Sequence, residues 1–131
     1  NTESILEAYT TITAGGVALP FGIYNNDTLV GFVMFGYDTN GDDDEPNIAV
    51  GNYCIWRFMI DKIYQGQGLG KKALQASIEY LRSEPCGRAT YCWLSYEPEN
   101  VVAKALYNSM GFSENGEMCG EEIVAMLQLF D

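Results

Sequence analysis

Between residues 55 and 82 the chain changes hydrophobic period across a glycine-rich turn, and this change limits the available folds more than any other feature. Ile55-Trp56-Arg57-Phe58-Met59-Ile60 reads as the end of a strand, part of a strand-like run from Ile48 to Ile60. Leu69, Ala73, Leu74, Ser77, Tyr80 and Leu81 keep a 3.6-residue period and read as a helix to about Ser83, closed by Pro85 and Gly87. Gln65-Gly66-Gln67-Gly68-Leu69-Gly70 stands between them. A strand that feeds a helix this way belongs to an α/β or α+β chain.

The remaining elements fit that class. Ile5, Leu6, Tyr9 and Ile12 predict a short helix capped at Thr2 or Ser4 and ended by Gly15-Gly16. A strand near Leu19 to Tyr24, the turn Asn25-Asn26-Asp27 and a strand from Thr28 to Tyr37 predict an antiparallel hairpin. Asp38 to Asn47, with Gly41, Pro46 and five acids, predicts an exposed loop. Ala89 to Tyr96 reads as a strand broken by Pro98; Asn100 caps a helix to Met110, and Gly111 stops it. Phe112 opens a last ribbon, with Asn115-Gly116 as its turn and Ile123 to Phe130 as an apolar strand buried on both faces. The whole is expected to be a mixed sheet in one domain over residues 1–131, a length that supports a single core.

Composition removes several chemistries. There is no histidine, so Ser-His and Cys-His catalysis and His-ligated zinc are excluded, and proton transfer falls to Tyr, Glu, Asp, Cys, Lys or water. Cys54, Cys86, Cys92 and Cys119 never form a C-x-x-C pair, and a chain able to build its own core needs no disulfide staple. They are expected to be buried thiols in a reducing cytoplasm, and no metal site is expected. No apolar run reaches the roughly 18 to 20 residues that span a bilayer, and no signal-peptide pattern opens the chain. No membrane partner is expected.

The net charge is −11 and unevenly spread. Residues 1–50 carry eight acids and no base, residues 51–104 all seven bases with five acids, and residues 105–131 five acids and no base. A nucleic-acid reader needs a basic face, so nucleic acid is a poor partner. An acidic surface concentrates cations and suits a small cationic amine or a basic peptide, although acidity also serves solubility alone.

Two stretches carry chemistry. Glycines at the start of a helix let the backbone approach a ligand, and the unpaired N–H groups of the first turn suit phosphate. Lys71 and Lys72 sit beside that turn. Taken alone, the turn is equally a tight structural connection; it lacks the Gly-Lys-Ser/Thr of a P-loop and the context of a dinucleotide fingerprint. In the second stretch, Asn100 to Phe112, the residues Ala103, Leu106, Tyr107 and Met110 share one stripe. Tyr107 is therefore semi-buried, either as a core aromatic or as a functional phenol.

Together the two stretches resemble the GNAT superfamily of N-acetyltransferases. Gln65-Gly66-Gln67-Gly68-Leu69-Gly70 matches its Arg/Gln-x-x-Gly-x-Gly/Ala loop, and Asn100, Ala103, Tyr107, Gly111 and Phe112 match its Asn-x-x-Ala-x-x-x-Tyr-x-x-x-Gly-Phe helix in register. Tyr53 to Leu129, with Trp56-Arg57-Phe58-Met59-Ile60-Asp61-Lys62 and Leu94-Ser95-Tyr96-Glu97-Pro98-Glu99-Asn100, further resembles the bacterial spermine/spermidine acetyltransferases.

The resemblance implies a mostly antiparallel central sheet flanked by helices and splayed at an acetyl-CoA site. Phe58, Met59 and Ile60 would offer backbone groups to the pantetheine arm. Gln65, Gly66, Gln67, Gly68, Leu69 and Gly70 would bind the pyrophosphate, with Lys71 adding charge. Asn100 would hydrogen-bond the pantetheine and Lys104 would lie near the coenzyme. Tyr107 would protonate the departing thiolate, while an amine attacks the thioester directly. Glu97 is the candidate base; it and Glu99 are equally readable as charges favoured at a helix N-terminus. A backbone carbonyl at Phe58 would serve the ammonium as well, and a backbone N–H would hold the oxyanion.

Trp56, Asp43, Asp44 and Glu45 are the expected acceptor-binding residues, with Asp42, Glu121 and Glu122 adding to an acidic surface that attracts a polyamine. The family carries a strand and a helix ahead of the segment aligning with Asn1 to Ile12, and the domain is expected to lack them. A protein or peptide N-acetyltransferase and a non-catalytic acyl-CoA-binding module are the alternatives. Ile123 to Phe130 either pairs with a second copy in a homodimer or completes the core.

Overall fold

A computed structural model describes residues 17–39 and 45–130. The helix expected over Ile5 to Ile12 and the acids Asp42, Asp43 and Asp44 lie outside the described residues. Among the described residues six strands form one sheet: β1 (Val17–Asn25), β2 (Thr28–Tyr37), β3 (Tyr53–Ile60), β4 (Tyr91–Tyr96), β5 (Ser113–Cys119) and β6 (Glu122–Gln128), in the order β1-β2-β3-β4-β6-β5. Only β3 and β4 run parallel; every other neighbouring pair is antiparallel. Helix α1 (Leu69–Arg82) connects β3 to β4, and α2 (Val101–Ser109) connects β4 to β5.

Helices α1 and α2 lie on one face of the sheet. The alternation of β4 turns Cys92, Leu94 and Tyr96 to that face, where they pack with Leu74, Ile78 and Leu81 of α1, Phe112, and the partly buried Ala103, Leu106, Tyr107 and Met110. Val33, Phe35, Tyr53 and Ile55 complete this core. The other face carries smaller clusters, Cys54 with Trp93, Val124 and Ala49, and Ala18 with Met34.

Tyr53 ties α1 to the sheet. Its part-buried hydroxyl donates to Gly87 O at 2.6 Å and accepts from Cys86 N at 2.9 Å, so the chain leaving α1 is held beneath β3.

Three expectations are corrected, and the choice left open for the last strand is resolved. The stretch from Ile48 is strand only from Tyr53: Asn47–Ala49 is a 3-10 turn, and Asn52 Nδ2 donates to Ile48 O at 2.9 Å. The loop after β2 is not simply exposed, since Thr39 and Pro46 are buried at its two described ends. Asn115-Gly116 is not the turn of the last ribbon; the reversal comes at Gly120, and Asn115-Gly116 sits at the break in pairing between Glu114 and Met118. Finally, β6 pairs with β4 on one side and β5 on the other, so it completes the sheet and has no edge for a second copy. Its Val124 and Ala125 are buried on opposite faces.

Candidate active site

The β3–β4 ladder ends almost as soon as it begins. Its two residue pairs are Tyr53 with Cys92 and Cys54 with Trp93; beyond them the strands part, and among the described residues β3 from Ile55 onward pairs only with β2. A bulge lies at the parting: Met34 pairs with Arg57 but Phe35 with Ile55, so Trp56 is an extra residue on β3. Without it Arg57 and Met59 would follow Tyr53 and Ile55 onto the helix face. With it, Phe58 packs against that core, and Trp56 and Arg57 line the opposite face.

The free edge of β3 can be read from its hydrogen bonds. Asp61 N donates to Val30 O at 2.7 Å, so residue 61 turns its backbone toward β2. Backbone direction alternates along a strand, so Met59 also faces β2, and Phe58 and Ile60 face the gap. Ile60 O accepts from Gln65 Nε2 at 2.9 Å. The N–H and C=O of Phe58 and the N–H of Ile60 thus border the opening.

One end of α1 faces the same region. Gly66 and Gly68 have φ of 82° and 77°, and Gly68 is the N-cap with no side chain capping the helix. The first N–H groups of α1 therefore have neither an intrahelical partner nor a cap. A Cβ at either glycine would meet nothing within 4 Å, so the backbone conformation, not crowding, demands glycine. At Gly70 a Cβ would stand 3.9 Å from Ile60 Cγ1 and 4.0 Å from Leu106 Cδ2, which brings the turn, β3 and α2 together.

Helix α2 starts at Asn100, whose Oδ1 accepts from Ala103 N at 3.1 Å. Lys104 pairs with Glu114 at 3.7 Å. Tyr107 packs its ring 6.0 Å from Tyr96 and 6.0 Å from Phe112, and burial pushes its phenol above the usual value of 10.0. It stays protonated at neutral pH.

On the face opposite Tyr107 a cavity of about 260 Å3 lies beneath the gap. Thr39, Glu45, Cys54, Trp56, Arg57, Trp93, Ser95, Cys119 and Glu122 line it with Ile55. Ser95 Oγ donates to Glu122 Oε1 at 2.7 Å. Cys54, fully buried, has its thiol pushed up to about 12, first by burial and further by the nearby Glu45 carboxylate.

The sequence model of the acetyltransferase (GNAT) family matches residues 3–112. The chain belongs to this family. Within it, the chain is 43% identical over 100 residues to a probable spermine N(1)-acetyltransferase of Bacillus subtilis subsp. natto, covering 76% of this chain and 62% of that protein. It is 42% identical over the same length to the spermine/spermidine N(1)-acetyltransferase of Bacillus subtilis strain 168, with the same coverage. The chain thus spans less than two thirds of the length of these relatives. The crystal structure of a PaiA N-acetyltransferase from Thermoplasma acidophilum in complex with coenzyme A superposes with a TM-score of 0.67 at 16% identity, covering 98% of this chain and 71% of the other. That likeness is one of fold.

Of the residues singled out from sequence as site residues, Phe58, Ile60, Gln65 to Gly70 and Tyr107 gather around the gap, whereas Met59 turns its backbone away. Lys71 is exposed beside the turn, and Asn100 uses its side-chain oxygen as a cap. Trp56 and Glu45 line the opposite cavity. Glu97 and Glu99 are exposed and do not line it. Ser95 and Trp93 are not among the residues expected from sequence; the period of two along β4 puts them on one face, but the hydrogen bond from Ser95 to Glu122 across the β4–β6 ladder exists only in the folded sheet. None of the four cysteines is in a disulfide; Cys54 and Cys92 are buried, and Cys86 and Cys119 only half-buried. Among the described residues no helix is long and apolar enough to cross a membrane.

Proposed function

We propose that the chain is an acetyl-CoA-dependent N-acetyltransferase that acetylates a primary amine of a polyamine such as spermine or spermidine, in the cytoplasm. The observation that carries this reading is the early end of the β3–β4 ladder, which leaves one gap bordered by a bare strand edge, a bare helix N-terminus and a phenol, over an acid-lined cavity. Identity to the Bacillus spermine and spermidine acetyltransferases supports the polyamine as acceptor.

Each part has a job in that reaction. The Phe58 and Ile60 edge accepts the pantetheine arm as a short added strand. The uncapped N–H groups of α1, with the positive end of its dipole, hold the pyrophosphate, and Lys71 adds charge. The residues fit that anion: the helix is 14 residues long and its first turn has no competing side chain. Acetyl-CoA supplies an activated acetyl thioester. Tyr107 gives a proton to the departing sulfur; a phenol with an upward-shifted pKa remains a proton donor throughout the neutral range. Lys104, already paired with Glu114, approaches the coenzyme only if that exposed pair opens.

The test is thiol release from acetyl-CoA with spermine, spermidine, putrescine, kanamycin and a basic peptide as acceptors. Turnover confined to the polyamines is expected. Turnover only on the peptide would replace the acceptor, and acetyl-CoA binding without turnover on any acceptor would end the enzymatic reading.

A further inference from the structure

We propose that Glu122 accepts the proton from the incoming amine and that Ser95 fixes its carboxylate for that task; this rests on the acetyltransferase reading above. Glu122 opens β6 opposite Cys119, at the end of the sheet where β3 and β4 have parted. Ser95 Oγ holds Oε1, which leaves Oε2 to accept. A base oriented by a second hydrogen-bonding group is the arrangement expected of a proton acceptor.

The cavity is built for a polar occupant. Trp93 is 5% exposed, yet its indole Nε1–H has no hydrogen-bond partner among the described residues. Buried donors are nearly always satisfied, and this one lies in a wall shared with two carboxylates. A volume of about 260 Å3 has room for an aminoalkyl chain and a water. Because Tyr96 and Ser95 point to opposite faces of β4, Tyr107 approaches the gap from the helix side and Glu122 from the other. Acid and base then stand on either side of a thioester lying in the gap.

The other charged and titratable groups facing the cavity are less suited. Arg57, on β3, is always protonated and cannot accept. The buried Cys54 thiol, held up to about 12, stays neutral. Cys119, on β5, is a half-buried thiol, and Glu45 comes from the loop after β2, across the cavity from the β4–β6 ladder. Glu45 suits a distant ammonium of the same polyamine. In the reaction one ammonium proton passes to Glu122 Oε2 and on to solvent. The freed lone pair forms the C–N bond as the C–S bond breaks. The nitrogen sheds its second excess proton to solvent, Tyr107 protonates the thiolate, and solvent restores the phenol, so one proton is released overall.

The experiment compares the full chain with Glu122→Gln and Ser95→Ala on spermine, spermidine, kanamycin and a basic peptide, with acetyl-CoA affinity titrated separately. Glu122→Gln is expected to keep acetyl-CoA affinity within about twofold and lose roughly 100-fold or more in kcat. Its log kcat/KM should climb one unit per pH unit through neutrality, because only the free amine, with a usual pKa of about 10.4, then reacts. The unaltered chain should be flat there, and Ser95→Ala should fall between the two. A Glu122→Gln chain with raised KM but unchanged kcat and profile would overturn the assignment, leaving Glu122 a binding charge. If Glu122→Gln fails to bind acetyl-CoA because it misfolds, Ser95→Ala decides, and a profile as flat as the unaltered chain's overturns the proposal. No turnover by the unaltered chain on any amine, with acetyl-CoA still bound, overturns the acetyltransferase reading itself and this proposal with it.

Discussion

The rings of Tyr96 and Tyr107 lie 6.0 Å apart at an interplanar angle of 36°, on the helix side of β4 just where that strand has lost β3. Tyr96 is nearly buried and fixes one wall, so the Tyr107 phenol has a defined position beside the gap. Tyr107→Phe keeps this stack and removes only the oxygen. The expected result is a kcat lower by roughly 100-fold or more with acetyl-CoA affinity unchanged. Steady-state kinetics combined with a binding titration check it; an unchanged kcat would assign Tyr107 to packing alone.

The two helices and the first hairpin were legible because local signals agree with the tertiary outcome. Asn100 caps α2 as its side-chain chemistry favours, Gly111 follows the helix with φ of 100°, and the 3.6-residue stripe of α1 is the stripe that is buried. The last ribbon departs from its sequence signal because Asn-Gly serves two structures. Here Gly116 supplies φ of 88° to an irregularity in β5, and Asn115 Oδ1 accepts from Glu117 N. Glu117 in turn accepts from Asn47 N at 2.7 Å, seventy residues away. That contact has no trace in local periodicity, and neither do the parting of β3 from β4 or the meeting of Ser95 with Glu122.

Gly68→Ala tests the anion site. With open space beside the α-carbon, the cost is conformational only, about 1–2 kcal/mol for a non-glycine residue in the left-handed region. Relief of that strain turns the first N–H groups of α1 away from a shared anion. Thermal unfolding should show a midpoint lower by several degrees, on the order of 3–8 °C. The KM for acetyl-CoA should rise several-fold, while kcat at saturating coenzyme stays close to that of the unaltered chain.

The acidic surface predicts salt sensitivity. Glu45 and Glu122 line the cavity, and the chain carries a net charge of −11, so a polycation is drawn in over distances that salt shortens to about 8–10 Å at physiological strength. Raising salt from about 20 mM to 500 mM should lower kcat/KM for spermine by about tenfold, and far less for a monoamine. The comparison of the two amines at each salt concentration separates steering from a general loss of activity.

Alkaline pH should unfold the protein by way of its buried phenols. Burial is the first cause raising the pKa of Tyr53, Tyr96 and Tyr107 above 10.0, and for Tyr53 it outweighs the two backbone hydrogen bonds that oppose it. A raised folded-state pKa means that above pH 10 the unfolded chain has lost protons that the folded chain keeps. Stability is therefore complete below about pH 10 and falls as pH rises through the folded-state values. The ultraviolet absorbance of tyrosinate should show a second, steeper phase that coincides with the loss of helical circular dichroism. Tyr53→Phe should remove part of that phase and cost about 1–3 kcal/mol at neutral pH, since Cys86 N loses its part-buried acceptor.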